Sequence, residues 1–330
     1  MQKDWQRQHD FVMLDEATLN AMLQPAFPGK SIKSAELLTS GLCNTNYKIH
    51  LSDTVGAFVL RLYTRDRAAC QKDYDLFNLV HERVPVPELL YVDAAGERYA
   101  MAYAVMRWVD GVLLSDIISA GDPAQMAACA YAAGTTLASI GSYTFPQAGF
   151  FGPGLNIAQP FDSGTAPFLA EIERSLFAGR AGERLGTALA TRLWRFVLDN
   201  SNYLEVAQKA TTLVHADFKG VNILVRQEQA SWHVAAVLDW EFALASSPLI
   251  DIANMLRYDR LLPATYETQF IRGYLDNGGT LPAEWKRASK LLDLLSLCQF
   301  LDAPQPGNAL VEEVIGLIVG TMEHWKEYAR

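Results

Sequence analysis

The sequence predicts an α+β protein of two lobes, a small β-rich lobe followed by a larger, mainly helical lobe. Two observations predict this fold class. From Ser31 to about Met106, short runs alternate between apolar and polar residues, which is the period of a β-strand. After Asp110, the apolar residues recur at the spacing of a helix instead. We therefore assign residues 1–110 to the first lobe and residues 111–330 to the second.

Local patterns predict the elements of the first lobe. A helix is predicted over residues 14–23, with Asp15 near its start, where a side-chain oxygen can accept a backbone N–H. Strands follow: residues 47–51 alternate in polarity, and residues 58–62 form a buried apolar strand. A second helix is predicted over residues 68–82, where it interrupts the strands.

The second lobe is predicted to be built mainly from helices. Apolar residues at helical spacing predict helices over residues 123–140, 165–178, 183–209, 264–276, 282–301 and 309–327. The stretch 149–164 is rich in glycine and proline and has no clear periodicity, so we predict a loop there.

The composition excludes several classes of protein. The formal net charge of −9 argues against a nucleic-acid-binding protein, which would normally present a basic face. The Ala-rich run 124–140 is too polar to cross a membrane, and the amino terminus shows no apolar secretory signal. The cysteines have no metal-binding spacing and are expected to be buried thiols: Cys43, Cys70, Cys129 and Cys298. We expect a cytoplasmic protein with no membrane partner, and the sequence predicts no particular oligomeric state.

Three polar side chains of the second lobe give the strongest functional signal. Asp217 is a carboxylate that could take a proton from a hydroxyl group, and Asn222 and Asp239 offer the hard oxygen ligands that Mg²⁺ prefers. Apolar runs at residues 223–226 and 233–238 flank a polar stretch, which predicts a β-hairpin. If its turn is centred near positions 230 and 231, position 222 falls opposite position 239, and the two side chains can share one ion.

The alternative is that Asp217 and Asp239 cap turns at the surface. For either residue alone that interpretation is as good as the functional one, but the joint pattern with Asn222 favours a site. Phosphoryl transfer requires a positioned nucleophile and neutralised phosphate charge, and these three side chains supply what it requires.

These motifs resemble those of a known family. Protein kinases share the motif H-R-D, a following Asn, and the motif D-F-G. This sequence has His-Ala-Asp at residues 215–217, Asn222, and Asp-Trp-Glu at residues 239–241 in their place. This form is similar to the aminoglycoside phosphotransferase and choline kinase family, small-molecule kinases with the protein-kinase fold. Residues 214–218 and 58–61 look closest to its hygromycin B phosphotransferase branch. The resemblance extends from about residue 36 to about residue 258, and it implies a protein-kinase-like fold, ATP and Mg²⁺.

The resemblance implies roles for the residues of the catalytic loop. Asp217 would be the catalytic base or would orient the acceptor hydroxyl, and Asn222 and Asp239 would be the magnesium ligands. Lys219 either reaches the transferring phosphate or is a solvated lysine. His215 is expected to brace the loop by hydrogen bonding rather than to transfer a proton.

Two further acids match family positions. Glu241 would assist a second metal ion or face the acceptor. Asp251 would tie a helix N-terminus to the catalytic loop, because a carboxylate at the start of a helix can accept backbone N–H groups. Eleven residues separate Asp239 from Asp251, and Ala216 stands where phosphorylation-regulated protein kinases have arginine. A segment for docking peptides hardly fits, so we expect a small-molecule acceptor.

The resemblance places the nucleotide in the first lobe. The polar loop 39–46, with Ser40, Gly41 and Asn44, would cover the phosphates, although by itself it also fits an ordinary turn. Arg61 stands where protein kinases have a phosphate-binding lysine, and arginine keeps its charge and can fork across two acceptors. Its helix partner would be Asp73, with Asp75 as the second choice, or Asp73 is a solvated surface residue.

Residues 105–111 mark the junction between the lobes. In the resembling family, backbone groups here bind adenine, which corresponds to the Arg107 carbonyl and the Val109 N–H. Without the resemblance, Met106 and Val109 would simply end a buried strand.

The sequence leaves the acceptor open. Five acids of the second lobe could converge near Asp217 and attract a cationic acceptor, or they could be scattered solvated positions: Glu171, Glu173, Glu241, Asp259 and Glu267. An aminoglycoside-like compound or another amino alcohol is therefore slightly favoured. The alternatives are a metabolite kinase of the choline, homoserine or sugar type, and a nucleotide-binding pseudoenzyme. The last is disfavoured because Asp217, Asn222 and Asp239 are all present.

Overall fold

The computed structural model describes residues 10–39, 43–162, 164–208 and 210–329. Its α-helices are α1 Glu16–Leu23, α2 Arg67–Val80, α3 Leu114–Ala120, α4 Pro123–Ile140, α5 Thr165–Phe177, α6 Ala181–Leu185, α7 Thr187–Asn200, α8 Leu249–Met255, α9 Ala264–Asp276, α10 Trp285–Asp302 and α11 Asn308–Glu323. Its strands are β1 Ile32–Leu38, β2 Thr45–Leu51, β3 Phe58–Leu62, β4 Leu89–Asp93, β5 Tyr103–Arg107, β6 Val112–Leu113, β7 Gly149–Phe151, β8 Ile157–Pro160, β9 Thr212–Val214, β10 Ile223–Glu228, β11 Ser231–Val237 and β12 Leu244–Ser246. Among the described residues, none of the helices has the length and apolar character needed to cross a membrane.

The described part of the first lobe is built on a five-stranded antiparallel sheet in the order β1-β2-β3-β5-β4. Helix α1 packs on it through Leu19, Met22 and Leu23, which share a buried cluster with side chains of β2, β3 and β5. The Thr18 N–H donates to Asp15 Oδ1 at 2.8 Å, so Asp15 is the N-cap of α1. The predicted strand-rich lobe with an opening helix is confirmed.

Helix α2 belongs to the first lobe in sequence but packs toward the second. Its Leu76 and Val80 are buried in the main apolar cluster of the second lobe. Asp75 accepts a hydrogen bond from the Gly154 N–H at 2.7 Å, and Gly154 lies in a 3-10 turn between β7 and β8. Leu155 of the same turn packs against that cluster. Helix α2 is therefore fastened to the second lobe by both polar and apolar contacts.

In the described part of the second lobe, buried apolar side chains form two clusters. The first contains α4, α8, α9 and the hairpin of β10 and β11, and it lies under the catalytic motifs. The second contains α5, α6, α7, α10 and α11. Within the first cluster, α4 and α9 approach closely at two glycines: a Cβ on Gly134 would lie 2.0 Å from the Phe270 carbonyl oxygen, and one on Gly273 would lie 2.1 Å from that of Tyr131. No side chain fits at either position.

The structure corrects three predictions for the second lobe. The helix predicted over residues 183–209 is broken at Gly186, whose φ of 76° is incompatible with a right-handed helix, and it ends at Asn200. The predicted loop 149–164 contains strands β7 and β8, which extend a sheet with β12 and β9. Helix α3 was missed, because its seven residues are too few to show a period.

Candidate active site

The hairpin of β10 and β11 carries the predicted metal ligands, with a register that differs from the prediction. The turn is formed by Gln229 and Ala230, both with positive φ, and a bulge lies between Leu224 and Val225. As a result, the Asn222 carbonyl accepts the Leu238 N–H at 2.8 Å, so residue 222 stands opposite residue 238 and not 239. Asp239 follows immediately, and its φ of 66° turns the chain away from the strand direction. The predicted pairing was wrong by one residue, because the bulge and the turn position were not visible in the sequence.

The catalytic loop brings Asp217, Lys219 and Asn222 into direct contact. Lys219 Nζ lies 2.7 Å from Asp217 Oδ1, and Asn222 Nδ2 donates to Asp217 Oδ2 at 2.7 Å and to the Asp217 carbonyl at 2.9 Å. The side chains of Asp217 and Lys219 are 17% and 14% exposed, so Lys219 is not the solvated lysine of the alternative interpretation. Because both hydrogen bonds of Asn222 use its nitrogen, Oδ1 is the atom with which it could bind a metal ion.

His215 braces this loop through both ring nitrogens. Its Nε2 lies 2.9 Å from the Leu238 carbonyl, and its Nδ1 accepts the Asp217 N–H at 3.2 Å. Accepting at Nδ1 requires the proton to be on Nε2, which then donates to Leu238. Burial lowers the pKa of His215 despite the nearby Asp217, so the neutral ring is favoured. The ring is fully buried against Trp240, an arrangement that fits the bracing role and not proton transfer.

Ala216, the residue before the candidate base, is held in a left-handed conformation by helix α8. Its φ is 63°, which costs a non-glycine residue about 1–3 kcal/mol and persists when the surroundings enforce it. The Ala216 N–H donates to Asp251 Oδ1 at 2.8 Å, and the Ala216 carbonyl accepts from Asn254 Nδ2 at 2.9 Å. Asn254 was not among the predicted site residues, although its position three residues after Asp251 places both on one face of a helix.

Asp251 also accepts the His215 N–H at 2.8 Å. It is the third residue of α8, so its carboxylate binds the catalytic loop and does not cap its own helix. Complete burial raises the pKa of Asp251 to about 7, although the backbone donors of the loop oppose that shift. The predicted tie between this helix and the catalytic loop is present in the structure.

Arg61 of β3 contacts the candidate metal ligand directly. Its Nη2 donates to Asp239 Oδ1 at 2.5 Å, and the Arg61 side chain is 12% exposed. Burial alone would raise the pKa of Asp239, but Arg61 and the charge of Lys219 hold it below its ordinary value. The carboxylate is therefore ionised and ready to bind a cation.

Asp73 of α2 faces the same region without an ion-pair contact to Arg61. Tyr63 donates its hydroxyl to Asp73 Oδ2 at 2.7 Å, and Asp73 Oδ1 is buried without a hydrogen-bond partner among the described residues. In the same part of the chain, Arg61 Nε is likewise buried and unpartnered. Burial raises the pKa of Asp73, whereas Arg61 and the Tyr63 hydroxyl lower it. Asp73 is thus half-buried, with one carboxylate oxygen bonded to Tyr63 and the other shielded from solvent.

A small cavity of about 60 Å³ adjoins these side chains. Its lining is mostly apolar and comes from both lobes: Leu76, Phe77, Val80, Val86, Pro87, Leu89, Met106, Val237, Leu238 and Trp240, with Arg61, Asp73 and Asp239 at the polar end. Arg61 and Asp73, which carry the two unpartnered polar atoms, therefore line a cavity between the lobes.

Of the other predicted nucleotide-binding residues, Ser40 and Gly41 are outside the described residues. Asn44 is buried and its Oδ1 accepts the Thr64 N–H at 3.3 Å, which ties Asn44 to the residues that follow β3. Arg107 ends β5 with its side chain paired to Glu88 at the surface, and Val109 lies in the connection to β6, which pairs with β10 of the second lobe.

Glu241 is oriented by cations of the first lobe. Its Oε1 lies 3.6 Å from Arg65 Nη1, and its carbonyl accepts a hydrogen bond from Lys72 Nζ. Burial, and secondly the charge of Asp239, raise the pKa of Glu241 to about 7. This carboxyl group therefore faces the first lobe.

The acids that were considered for attracting a cationic acceptor do not form an unpaired acidic wall. Asp259 lies 3.3 Å from Lys286 Nζ and 2.8 Å from Lys290 Nζ, and Glu267 lies 2.6 Å from Lys286 Nζ. Glu171 pairs with Arg174 at the surface of α5, and Glu173 is exposed on the same helix. Most of their charge is neutralised locally, so they give no support to a cationic acceptor.

The cysteines agree with the prediction of buried thiols, with one difference. Among the described residues none of the four is part of a disulfide bond, and Cys70, Cys129 and Cys298 are buried, but Cys43 is half-buried.

Comparisons with solved structures show the fold. The chain superposes on an aminoglycoside phosphotransferase, APH(4)-Ia, solved as a ternary complex with AMP-PNP and hygromycin B, with a TM-score of 0.67 and 20% identity over 93% of this chain and 98% of that one. A GDP complex of aminoglycoside 2'-phosphotransferase-IIIa gives 0.69 and 16% over 95% and 100%. A putative aminoglycoside phosphotransferase from Ralstonia eutropha JMP134 gives 0.65 and 16% over 96% and 98%. The predicted protein-kinase-like two-lobe fold is confirmed.

Comparisons of sequence identify the family. A short segment of 74 residues is 39% identical to mouse acyl-CoA dehydrogenase family member 10, but it covers 22% of this chain and 6% of that protein, so it says little about the whole. The family model described as "Phosphotransferase enzyme family" matches residues 34–290, which is most of the chain. That match confirms the predicted resemblance and the predicted class of enzyme, a small-molecule phosphotransferase. The chain belongs to the phosphotransferase enzyme family.

Proposed function

We propose that this protein is a cytoplasmic kinase that uses ATP and Mg²⁺ to phosphorylate a hydroxyl group of a small molecule. The observation that carries the proposal is the contact of Asp217 with Lys219 and Asn222 on a loop beside the ionised Asp239. We assign residues 1–110 to nucleotide binding and residues 111–330 to the catalytic loop, the metal ligands and the acceptor. The presence of all the required side chains argues against a pseudoenzyme.

In this proposal Asp217 orients the acceptor hydroxyl and takes its proton as the hydroxyl oxygen bonds to the γ-phosphorus of ATP. The bond from that phosphorus to the bridging oxygen breaks in the same transfer, and ADP leaves with the electron pair. Lys219, which contacts Asp217, lies where its positive charge could stabilise the transferring phosphoryl group. His215 positions the base through the Asp217 N–H and takes no proton.

The donor set beside Asp217 fits a magnesium ion. Asp239 and Asn222 supply oxygen ligands, and Mg²⁺ is usually held by one or two protein groups together with substrate phosphates. In agreement, the described residues contain no cluster of three or more acidic, histidine or cysteine side chains that would hold a metal ion alone. The guanidinium of Arg61 bonded to Asp239 is a stand-in cation, which indicates that this position attracts positive charge. When bound, the ion would neutralise negative charge on the phosphates.

Arg61 has to leave Asp239 when a metal ion takes that carboxylate. Arg61 Nε and Asp73 Oδ1 both lack a hydrogen-bond partner among the described residues, so the displaced guanidinium could donate to Asp73. Nucleotide phosphates would be a second acceptor for it. The loop with Ser40, Gly41 and Asn44 would cover the phosphates, and the Arg107 carbonyl and Val109 N–H would bind the base. Glu241 would face the phosphates or a second ion.

The acceptor is proposed by chemical class. Structural relatives were solved with hygromycin B and with streptomycin, so an aminoglycoside-like compound or another amino alcohol is the first class to test. The neutralised acids of the second lobe give this choice no further support. A metabolite alcohol such as choline, homoserine or a sugar is therefore the second class.

A panel assay tests the proposal. ADP formation is measured with ATP or GTP, with Mg²⁺ and then with EDTA, across aminoglycosides, choline, homoserine and sugars. We expect one class of acceptor to raise ADP formation well above the acceptor-free rate, with mass spectrometry detecting one added phosphate. Nucleotide binding by thermal shift without ADP formation for any acceptor would instead favour the pseudoenzyme.

A further inference from the structure

The peptide unit between Ala216 and Asp217 is fixed at both ends. Its carbonyl oxygen accepts Asn254 Nδ2 at 2.9 Å, and its N–H donates to His215 Nδ1 at 3.2 Å. Rotation of this unit would move the Asp217 side chain, because the Asp217 Cα is attached to it. Asn254 therefore controls one of the two hydrogen bonds that fix the peptide unit next to the candidate base.

A buried chain of hydrogen bonds in turn fixes the amide of Asn254. Arg257 Nη2 donates to Asn254 Oδ1 at 2.9 Å, so the amide nitrogen must point toward Ala216. Arg257 is itself held by Asp293 Oδ1, at 2.9 Å from Nε and 2.6 Å from Nη2. Asn254, Arg257 and Asp293 are 6%, 5% and 4% exposed. Water has little access to replace any of these bonds.

We propose that Asn254 is a positioning residue for the Asp217 carboxylate and that Arg257 and Asp293 hold it in that role. This inference rests on the proposed function, in which Asp217 is the base. Asn254 would act by enforcing the left-handed conformation of Ala216, which a residue with a Cβ does not adopt readily by itself.

The arrangement is more specific than the packing of α8 requires. Asp251, Asn254 and Arg257 are spaced three residues apart, and the first two bind the N–H and the carbonyl of the same alanine. A buried Arg–Asp pair can often be replaced by apolar side chains without loss of stability, so its presence alone explains little. Here the pair has a defined task, since its arginine determines which way an amide points.

The variant Asn254→Asp separates positioning from packing. Aspartate keeps the shape and the bond to Arg257 but loses the donor to the Ala216 carbonyl. We expect kcat, measured with an acceptor found by the panel, to fall about 10- to 100-fold, because a small misplacement of a catalytic group can cost about 10²-fold in rate. The Kd for nucleotide should stay within about twofold of the wild-type value, because the nucleotide is held elsewhere.

Leu297→Ala is the matched control for lost stability. Leu297 lies on α10, four residues after Asp293, and is buried in the other apolar cluster of the second lobe. We expect it to lower Tm at least as much as Asn254→Asp while leaving kcat unchanged at temperatures well below Tm. A kcat that falls equally in both variants would assign Asn254 a purely structural role and overturn the proposal.

A second substitution tests whether Asn254 acts through Ala216. Glycine adopts positive φ without a steric penalty, so adding Ala216→Gly to Asn254→Asp should restore several-fold of the kcat lost in Asn254→Asp, with each kcat compared with that of the Ala216→Gly single variant. Absence of that rescue would overturn the proposed route from Asn254 to the base.

Hydrogen–deuterium exchange gives a readout that needs no activity. Asn254→Asp should speed exchange of the Asp217 amide in the nucleotide-free protein, whereas Leu297→Ala should not do so selectively. Unchanged exchange at Asp217, or a kcat within twofold of wild type, would overturn the inference. If the wild-type protein phosphorylates no acceptor, the proposed function fails, and the exchange result still decides whether Asn254 holds this loop.

Discussion

The two sides of the active-site cleft differ in how completely their polar atoms are satisfied. On the second-lobe side, both nitrogens of His215, both carboxylate oxygens of Asp217 and both backbone groups of Ala216 are engaged. On the first-lobe side, Arg61 Nε and Asp73 Oδ1 are buried without a partner in the part of the chain that the structure describes. Leaving a buried polar group unpaired costs about 1–3 kcal/mol. The catalytic loop is therefore already organised by its own hydrogen bonds, whereas the first-lobe side has two buried polar atoms that can still form hydrogen bonds.

The largest effect should come from the base on the organised side. Asp217→Ala removes a group whose positioning as a general base contributes on the order of 10²–10⁴-fold in rate. We expect kcat to fall within that range while the Kd for ATP with Mg²⁺, measured by calorimetry, changes little. Turnover close to wild type would remove Asp217 from the mechanism, and loss of nucleotide binding would show that the two sides are not independent.

The second largest effect concerns Asp251, the carboxyl group that binds the backbone of the catalytic loop, and the pH dependence of stability. The pKa of Asp251 is about 7 in the folded protein, well above the ordinary aspartate value of 3.8, so between these pH values the folded state keeps a proton that the unfolded chain has lost. Raising the pH through this window therefore lowers the free energy of unfolding, by at most about 1.4 kcal/mol per pH unit, and above about pH 7 the dependence ends.

Urea unfolding from pH 4 to pH 8 measures this dependence. The difference in unfolding free energy between wild type and Asp251→Asn should decrease as the pH rises toward 7 and then become constant. Asp276→Asn, at an exposed carboxylate of α9, is the control and should follow the wild-type curve. Parallel curves for wild type and Asp251→Asn would contradict the raised pKa.

The pair of Arg61 and Asp239 on the first-lobe side of the cleft leads to a prediction about metal binding. Because Arg61 occupies Asp239, Mg²⁺ should bind weakly until a nucleotide draws the arginine away. We expect Arg61→Met to bind Mn²⁺ alone about tenfold more tightly than wild type, by electron paramagnetic resonance titration, while its affinity for ATP falls. Arg65→Met removes the same charge from the neighbouring pair with Glu241 and is the control. Equal Mn²⁺ affinity in the two variants would refute the competition.

The smallest expected effect is at Asp73. Tyr63→Phe removes the hydrogen bond to Asp73 Oδ2 and leaves that buried carboxyl with one partner fewer. We expect a loss of about 1–2 kcal/mol in unfolding free energy, and ATP with Mg²⁺ should stabilise this variant more than wild type, because Arg61 then pairs with Asp73. Equal ligand stabilisation in both proteins would indicate that Arg61 does not move toward Asp73.

The sequence predicted those parts of the molecule that depend on local patterns. The lobe order, the cap at Asp15 and the boundaries of α4 and α9 follow from periodicity and capping, which neighbouring residues determine. The motif residues of the catalytic loop could be named because their spacing is short. The pairing of Asn222 with Leu238 could not, since it depends on a bulge and on two non-glycine residues with positive φ.

Long-range contacts set the other limit. Nothing near Arg61 in the sequence indicates that its partner is Asp239, 178 residues away, or that Asn254 reaches back to Ala216. The acids Asp259 and Glu267 could not be recognised as neutralised, because Lys286 and Lys290 come from another helix. Such side-chain pairings depend on how the helices pack.

The bond between Asp75 and Gly154 restricts how the cleft can open. The lobes are joined covalently through residues 108–111, and α2 is fastened to the second lobe a second time through Asp75 and the turn around Leu155. A body attached at two separate points can swing about the line through them but cannot twist freely. The first lobe should therefore rotate about the axis through these two attachments. A nucleotide would then enter and leave on the side of the cleft that lies opposite that axis.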